Sequence, residues 1–364
     1  MGLQIAIVGL PNVGKSSLFN ALTKTQAAQA ANYPFCTIDP NVGVVEVPDD
    51  RLKVLASMVD PERVVPAIVE FVDVAGLVKG AHQGEGLGNQ FLSHIRSCQA
   101  IVQVVRFFSD PEVIHVHEGT DPRSDREVVE AELILADLQT LEKRMEKSER
   151  DARGNDKEKK HYHELLMKVK AELEAGHLAI HIDLSPEDRL LLTDLHLLTA
   201  KPIMWIANVD EKFVAQVDVK KLKEELGIPQ SGNVVPISAK VESELAVLDE
   251  ADAALFLEDL GLKETGLKRL IREAYELLGL QTYFTVGKKE VRAWTIPKGA
   301  SAPQAAGVIH TDFEKGFIRA EVIACADFVS CGGELKAKEK GLMRLEGKEY
   351  LVHDGDIMHF RFSD

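Results

Sequence analysis

Residues 9–16 read GLPNVGKS, a match to G-x-x-x-x-G-K-S. They stand between the strand-like run Gln4-Ile5-Ala6-Ile7-Val8 and a helical run carrying Leu18, Phe19 and Leu22. Gly9 and Gly14 let the backbone turn so tightly that its N–H groups converge on phosphate oxygens at a helix N-terminus. Lys15 supplies a cation to the β- and γ-phosphates, and the Ser16 hydroxyl can ligate Mg²⁺. Asn12, Val13, Gly14, Lys15, Ser16 and Ser17 are therefore the candidate phosphate contacts, with Lys15 also a candidate catalytic group. A strand, loop and helix of this kind predict an α/β fold around a parallel sheet.

A second motif supports the first. VEFVDVAG, residues 69–76, is an apolar strand ending in D-x-x-G. Its Asp73 suits a carboxylate that orients a Mg²⁺-bound water, and Gly76 can offer its N–H to the γ-phosphate. Between the motifs, YPFCTIDPNVG supplies Thr37, the candidate switch threonine that completes the Mg²⁺ shell. Downstream, KGAHQGEGLGNQF holds Gly80, Gly84, Gly86 and Gly88, the composition of a second switch ordered by nucleotide or a partner. Leu77 follows the D-x-x-G directly. A glutamine there would orient the attacking water; an apolar side chain cannot, so that role is missing or supplied elsewhere.

The base-reading element is expected at ANVDEK, residues 207–212, after the apolar run Pro202 to Ile206. A guanine reader has N-K-x-D here, and its aspartate accepts from guanine N1–H and the exocyclic amine. This chain offers Asn208, Val209, Asp210 and Glu211. Glu211 keeps the acceptor but adds a methylene, Val209 lacks the lysine stem that covers the base, and the Asn208 amide can donate to and accept from a purine edge. Losing a bidentate pair costs roughly 1–3 kcal/mol of discrimination, enough to remove most guanine preference. ISAK, residues 237–240, follows another strand and places Ser238, Ala239 and Lys240 where a loop packs against the base.

At 364 residues the chain is too long for one ordinary domain. Strands at 4–8, 43–47, 68–73 and 100–106 alternate with helices near 15–24, 50–59 and 88–97, and the alternation resumes at residue 202. Residues 126–175 instead carry two helical stripes, Leu135, Leu138, Leu141 and Met145 against Leu165 or Leu166, Val169 and Leu173, broken at Gly154-Asn155-Asp156. That pattern predicts an inserted antiparallel helical coiled-coil hairpin. The expected division is 1–122 and 200–280 for the nucleotide domain, 123–199 for the insertion and 281–364 for a strand-rich C-terminal domain. Residues 143–170 hold ten Lys or Arg against six Asp or Glu, in a chain of formal charge −15. That local excess is either a solvated helical surface or a contact for RNA. Apolar runs such as Ile101 to Val105 are too short to span a bilayer, the N-terminus has no signal-like region, and Cys36, Cys98, Cys325 and Cys331 form no disulfide framework. A cytoplasmic protein without membrane attachment is expected.

Taken together, GLPNVGKSSLFNAL, NYPFCTIDPNVG, FVDVAGLVKGAHQGEGLGNQFL and LQTYFTVGKKEVRAWTIPKGASAPQAAGVIHTDFEKGFIRA resemble the YchF or Obg-like ATPase family of translation-factor-related P-loop proteins. The resemblance covers essentially the whole chain. It implies a G domain interrupted by a helical hairpin and followed by a ubiquitin-like β-grasp (TGS) domain. It implies ATP preferred over GTP through N-x-x-E, here Asn208 and Glu211, and an apolar residue, here Leu77, in place of the catalytic glutamine. It also implies a ribosomal partner. A histidine on a loop is a proposed catalytic substitute in the family, and VIHVHEG points to His115, although a histidine between apolar residues is as readily structural. Asn12 matches the loop asparagine of potassium-stimulated relatives, which implies K⁺ beside Mg²⁺. Ser17 departs from the common family threonine.

The leading expectation is a Mg²⁺-dependent ATPase with slow intrinsic turnover, acting as a switch. The rivals are a GTPase with a relaxed base reader, a nucleotide-stabilised ribosome-binding scaffold and, more distantly, a small-molecule kinase.

Overall fold

The structure, a computed structural model, describes residues 3–24, 41–74, 87–109 and 121–363. Its contacts divide the chain into two units, residues 1–44 with 70–269 and residues 45–69 with 270–364.

The first unit is built on β1 (Gln4–Val8), α1 (Lys15–Lys24), β2 (Val42–Glu46), β4 (Ile68–Asp73), α3 (Leu87–Ser97), β5 (Ala100–Arg106), β6 (Ile203–Asn208), α7 (Val219–Leu226), β7 (Val234–Ile237), α8 (Ala239–Leu245), α9 (Glu250–Asp259) and the start of α10 (Gly266–Leu277). Six strands lie in the order β2-β4-β1-β5-β6-β7. The pairings β1 with β4, β1 with β5, β5 with β6 and β6 with β7 are parallel. The sequence explains why: AIVQVVR of β5 is buried at all seven positions and apolar at five, the largely apolar pattern of a strand covered on both faces. Parallel strands need crossovers, so every strand end carrying a motif emerges at the same edge of the sheet.

The crossover from β5 to β6 holds the predicted insertion. Asp121 caps α4 (Pro122–Ala152) by accepting the Ser124 N–H, and Pro122 occupies the first helical turn, where its missing N–H does no harm. The break falls at the expected Gly154-Asn155-Asp156, where the Asp156 carboxylate caps α5 (Lys157–Glu174). Ser148 meets His163 at 2.7 Å and Glu142 meets Lys170 at 3.5 Å, so the helices run antiparallel. Ile134 and Leu141 pack on Leu165, Leu166, Val169 and Leu173, and the following stretch, including α6 (Pro186–Leu191), adds Ile182, Leu192 and Leu195 to the same core. The insertion is fastened at its foot by Asp137, a fully buried carboxylate that accepts the N–H groups of Leu198 and Thr199 at 2.8 Å and the Thr199 hydroxyl at 2.7 Å. Three donors satisfy a charge that burial alone would penalise.

The second unit contains α2 (Asp50–Val59) and β3 (Arg63–Val65) from early in the chain, then β8 (Leu280–Val286), β9 (Glu290–Pro297), α11 (Ala302–Ile309), α12 (Thr311–Lys315), β10 (Phe317–Ala324), α13 (Cys325–Cys331), α14 (Glu334–Glu339), β11 (Arg344–Glu346) and β12 (Asp356–Phe362). Its sheet runs β11-β10-β12-β8-β9-β3. β8 and β9 form an antiparallel hairpin closed at Gly287, and the last strand, β12, lies parallel to β8 in the middle of the sheet. The alanine-rich α11 packs Ala302, Ala305 and Ala306 against Tyr283, Ile296 and Phe360. The early segment is held by the parallel pairing of β3 with β9 and by Arg51, which bonds Asp49 and Asp354 at 2.7 Å each. No helix among the described residues is long and apolar enough to cross a membrane.

Candidate nucleotide site

The phosphate loop turns through backbone that only certain residues adopt. Gly9 has φ +152° and Gly14 φ +97°; a Cβ on Gly9 would lie 2.5 Å from the Val104 carbonyl, and one on Gly14 would strike Asn208 Nδ2. Asn12 takes the left-handed conformation at φ +61°, which asparagine tolerates better than most side chains. Lys15 opens α1 and is buried, with its ammonium donating to the Leu10 carbonyl at 2.6 Å. Burial pushes its pKa down to about 8, while the negative charge of Asp73 acts in the opposite direction. Ser16 and Ser17 are exposed on the same first turn.

Asp73 ends β4 in register with Ile7 of β1, which places its carboxylate at the loop edge of the sheet. Burial raises its pKa and Lys15 lowers it. Among the described residues its Oδ1 is buried without a hydrogen-bond partner. A buried carboxylate oxygen left unmatched by the described residues, on the residue coupled to Lys15, and the exposed Ser16 hydroxyl next to Lys15 in sequence are both oxygen donors, a chemistry that fits a hard cation such as Mg²⁺. Thr37, Gly76, Leu77 and His115 lie outside the described residues, as do Gly80, Gly84 and Gly86.

At the other end of the sheet edge, β6 and β7 lead into the ANVDEK and ISAK loops. The Val209 N–H donates to the Ile237 carbonyl at 2.8 Å, fixing the two strand ends together. Asn208 is 4% exposed: its Nδ2 donates to the Val13 carbonyl at 2.9 Å and its Oδ1 accepts the Ala239 N–H at 2.9 Å. The sequence suggested that this amide meets a purine edge. In the structure both of its ends bind protein, so Asn208 clamps the phosphate loop to the ISAK loop. Val209 is buried in an apolar cluster with Trp205, Leu222 and Leu226, which gives the residue at the lysine position a packing role. Ser238 is buried at the head of α8. Glu211 remains half-exposed, and its Oε2 pairs with Lys240 Nζ at 2.8 Å.

The described motif residues thus gather at the carboxyl ends of β1, β4, β6 and β7, where open parallel sheets bind ligands. Two features were not foreseen from sequence. One is the Glu211–Lys240 pair. The other is Glu242, a buried carboxylate on α8 that accepts the Gly266 N–H at 2.7 Å. Burial pushes its pKa up to about 7 against the pull of the Gly266 and Leu267 N–H groups. Its partner lies 24 residues away, beyond the reach of any local pattern.

Known proteins resemble this chain along its whole length. A family model described as a 50S ribosome-binding GTPase matches residues 4–148, and the C-terminal model of YchF-type GTPases, described as a protein of unknown function, matches residues 280–363. A Bacillus subtilis protein named ribosome-binding ATPase YchF is 52% identical over 367 residues, with all of both chains covered. An Escherichia coli O157:H7 protein of the same name is 52% identical over 363 residues, again with full coverage of both. Among solved structures, the Schizosaccharomyces pombe YchF GTPase is similar with a TM-score of 0.89 and 38% identity, over 99% of this chain and 98% of that one.

Proposed function

We propose, because this chain belongs to the YchF family, that it hydrolyses ATP to ADP and phosphate as a switch working at the ribosome. The observation that carries the chemistry is Lys15, a buried ammonium heading α1 at the sheet edge where Asp73 presents an unmatched oxygen. Lys15 and the loop N–H groups stabilise charge developing on the phosphoryl oxygens. Ser16, Asp73 and Thr37 would hold Mg²⁺, directly or through water, and the ion would supply positive charge to offset that of the phosphate oxygens. Gly76 donates to the γ-phosphate. Asn12 to Ser17 line the triphosphate, and Asn208, Val209, Glu211, Ser238, Ala239 and Lys240 shape the base end. His115 would assist the attacking water in place of the glutamine that Leu77 replaces, or K⁺, with Asn12 as a candidate ligand, would supply positive charge there.

With no glutamine in that position, intrinsic turnover is slow, on the order of 10⁻⁴ to 10⁻³ per second, and a partner accelerates it. The ribosome is that partner, which places the protein in the cytoplasm. The net-positive stretch 143–170 of the hairpin offers a contact for ribosomal RNA. The C-terminal segment, with β12 parallel to β8, serves as a ubiquitin-like TGS module.

Titration of the purified chain with ATP and GTP, with phosphate release followed in Mg²⁺ with K⁺ or Na⁺, tests this function. Tighter ATP binding and slow Mg²⁺-dependent release are expected. A tenfold or greater preference for GTP would instead establish the second reading, a GTPase, which the GTPase descriptions of the matched model and of the S. pombe structure favour.

A further inference from the structure

Two charged side chains meet where the base is read. Glu211 follows β6, Lys240 is the second residue of α8, and Lys240 Nζ lies 2.8 Å from Glu211 Oε2. The two loops are not free to drift apart. Asn208 Oδ1 accepts the N–H of Ala239, the neighbour of Lys240, and the Val209 N–H is bonded to Ile237. A buried hydrogen bond therefore sets the ammonium beside the carboxylate, although the side chains themselves are 65% and 34% exposed.

Guanine presents two adjacent donors, N1–H and the 2-amino group, which a free carboxylate meets with its two oxygens. Adenine presents one amino donor on its Watson–Crick edge, beside an N1 acceptor. An ammonium on one oxygen occupies part of the acceptor capacity and cancels much of its charge. We infer that Lys240 is a specificity-determining residue: by holding Glu211 Oε2 it prevents the two-donor grip on guanine and leaves Oε1 for a single donor. The inference rests on the proposed function, which places Glu211 at the base.

The test compares GTP with inosine triphosphate, which keeps the N1–H but lacks the 2-amino group. The full chain is titrated with both, and with ATP, as wild type, Lys240→Ala and Lys240→Arg. In the wild type GTP and inosine triphosphate bind within about twofold of each other, because the second donor finds no acceptor. In Lys240→Ala the ratio shifts toward GTP by at least about fivefold, the size of one regained bidentate partner. Lys240→Arg keeps a cation on Glu211 and the wild-type ratio. An unchanged ratio in Lys240→Ala overturns the inference. A wild type that prefers GTP to ATP overturns the ATPase function instead, and the GTP-to-inosine ratio still judges Lys240, since those ligands differ only at one amino group.

Discussion

Asn208 donates its side-chain Nδ2 to the carbonyl of Val13 at 2.9 Å, so the last residue of β6 holds a loop 195 residues earlier in the chain. The other end of the same amide receives Ala239. The phosphate loop and the ISAK loop are therefore braced against each other through one side chain, and bracing of that kind lowers the ordering cost of binding a ligand.

Asn208→Ala removes the brace and leaves the Ala239 N–H without its side-chain acceptor. A loss of roughly 1–3 kcal/mol in stability is expected, together with weaker ATP binding. Asn208→Asp should do no better, because a carboxylate facing the Val13 carbonyl sets acceptor against acceptor. Urea melts and ATP titrations of both variants check this; wild-type behaviour of the aspartate variant would rule out the clamp.

The buried ammonium of Lys15 makes nucleotide binding depend on pH. Its pKa stands at about 8, lowered from 10.5 by burial. Phosphate anions favour the charged form and raise that value, so binding above about pH 8 draws a proton from solvent and affinity falls as pH rises. Calorimetry near pH 8.5 in buffers of different ionisation enthalpy measures the uptake. Buffer-independent heats would contradict it.

Glu242 gives a stability signature of opposite chemistry. Its folded pKa of about 7 exceeds the ordinary 4.5. The folded state therefore holds a proton that the unfolded chain releases. The stability this group contributes is full below about pH 4.5 and is lost as pH rises toward 7. Glu242→Gln should flatten that decline, whereas Glu242→Ala leaves the Gly266 N–H buried and unmatched at a cost of about 1–3 kcal/mol. Denaturation curves from pH 5 to 8 for the three proteins decide the point.

Much of this was legible because the relevant signals are local. GLPNVGKS carries its glycines, lysine and helix start within eight residues, and the alternation around it gives β1, β4, β5, β6 and the enclosing helices almost to the residue. The hairpin was equally plain: its leucines recur at helical spacing and its break is a Gly-Asn-Asp turn. What local pattern could not show is pairing across distance. ANVDEK suggested chemistry toward a base for Asn208, yet the atoms that satisfy its amide belong to Val13 and Ala239. Nothing in residues 45–69 announces that β3 pairs with β9, because a three-residue strand leaves almost no periodic trace.

The foot of the insertion has a consequence for the order in which the chain assembles. β5 and β6 are neighbours in the sheet, with Ile101 paired to Ile203, although roughly a hundred residues separate them, a loop whose closure entropy opposes early pairing. The helices between them meet through short-range contacts and form fast. Once they fold, Asp137 on α4 captures Leu198 and Thr199 and carries the start of β6 back toward β5. Refolding of the sheet should then wait on the hairpin. Leu166→Ala, worth about 2–5 kcal/mol in a packed core, would slow the burial of Trp205 seen by stopped-flow fluorescence in a Trp294→Phe background. An unchanged refolding rate with only faster unfolding would remove the insertion from the folding nucleus.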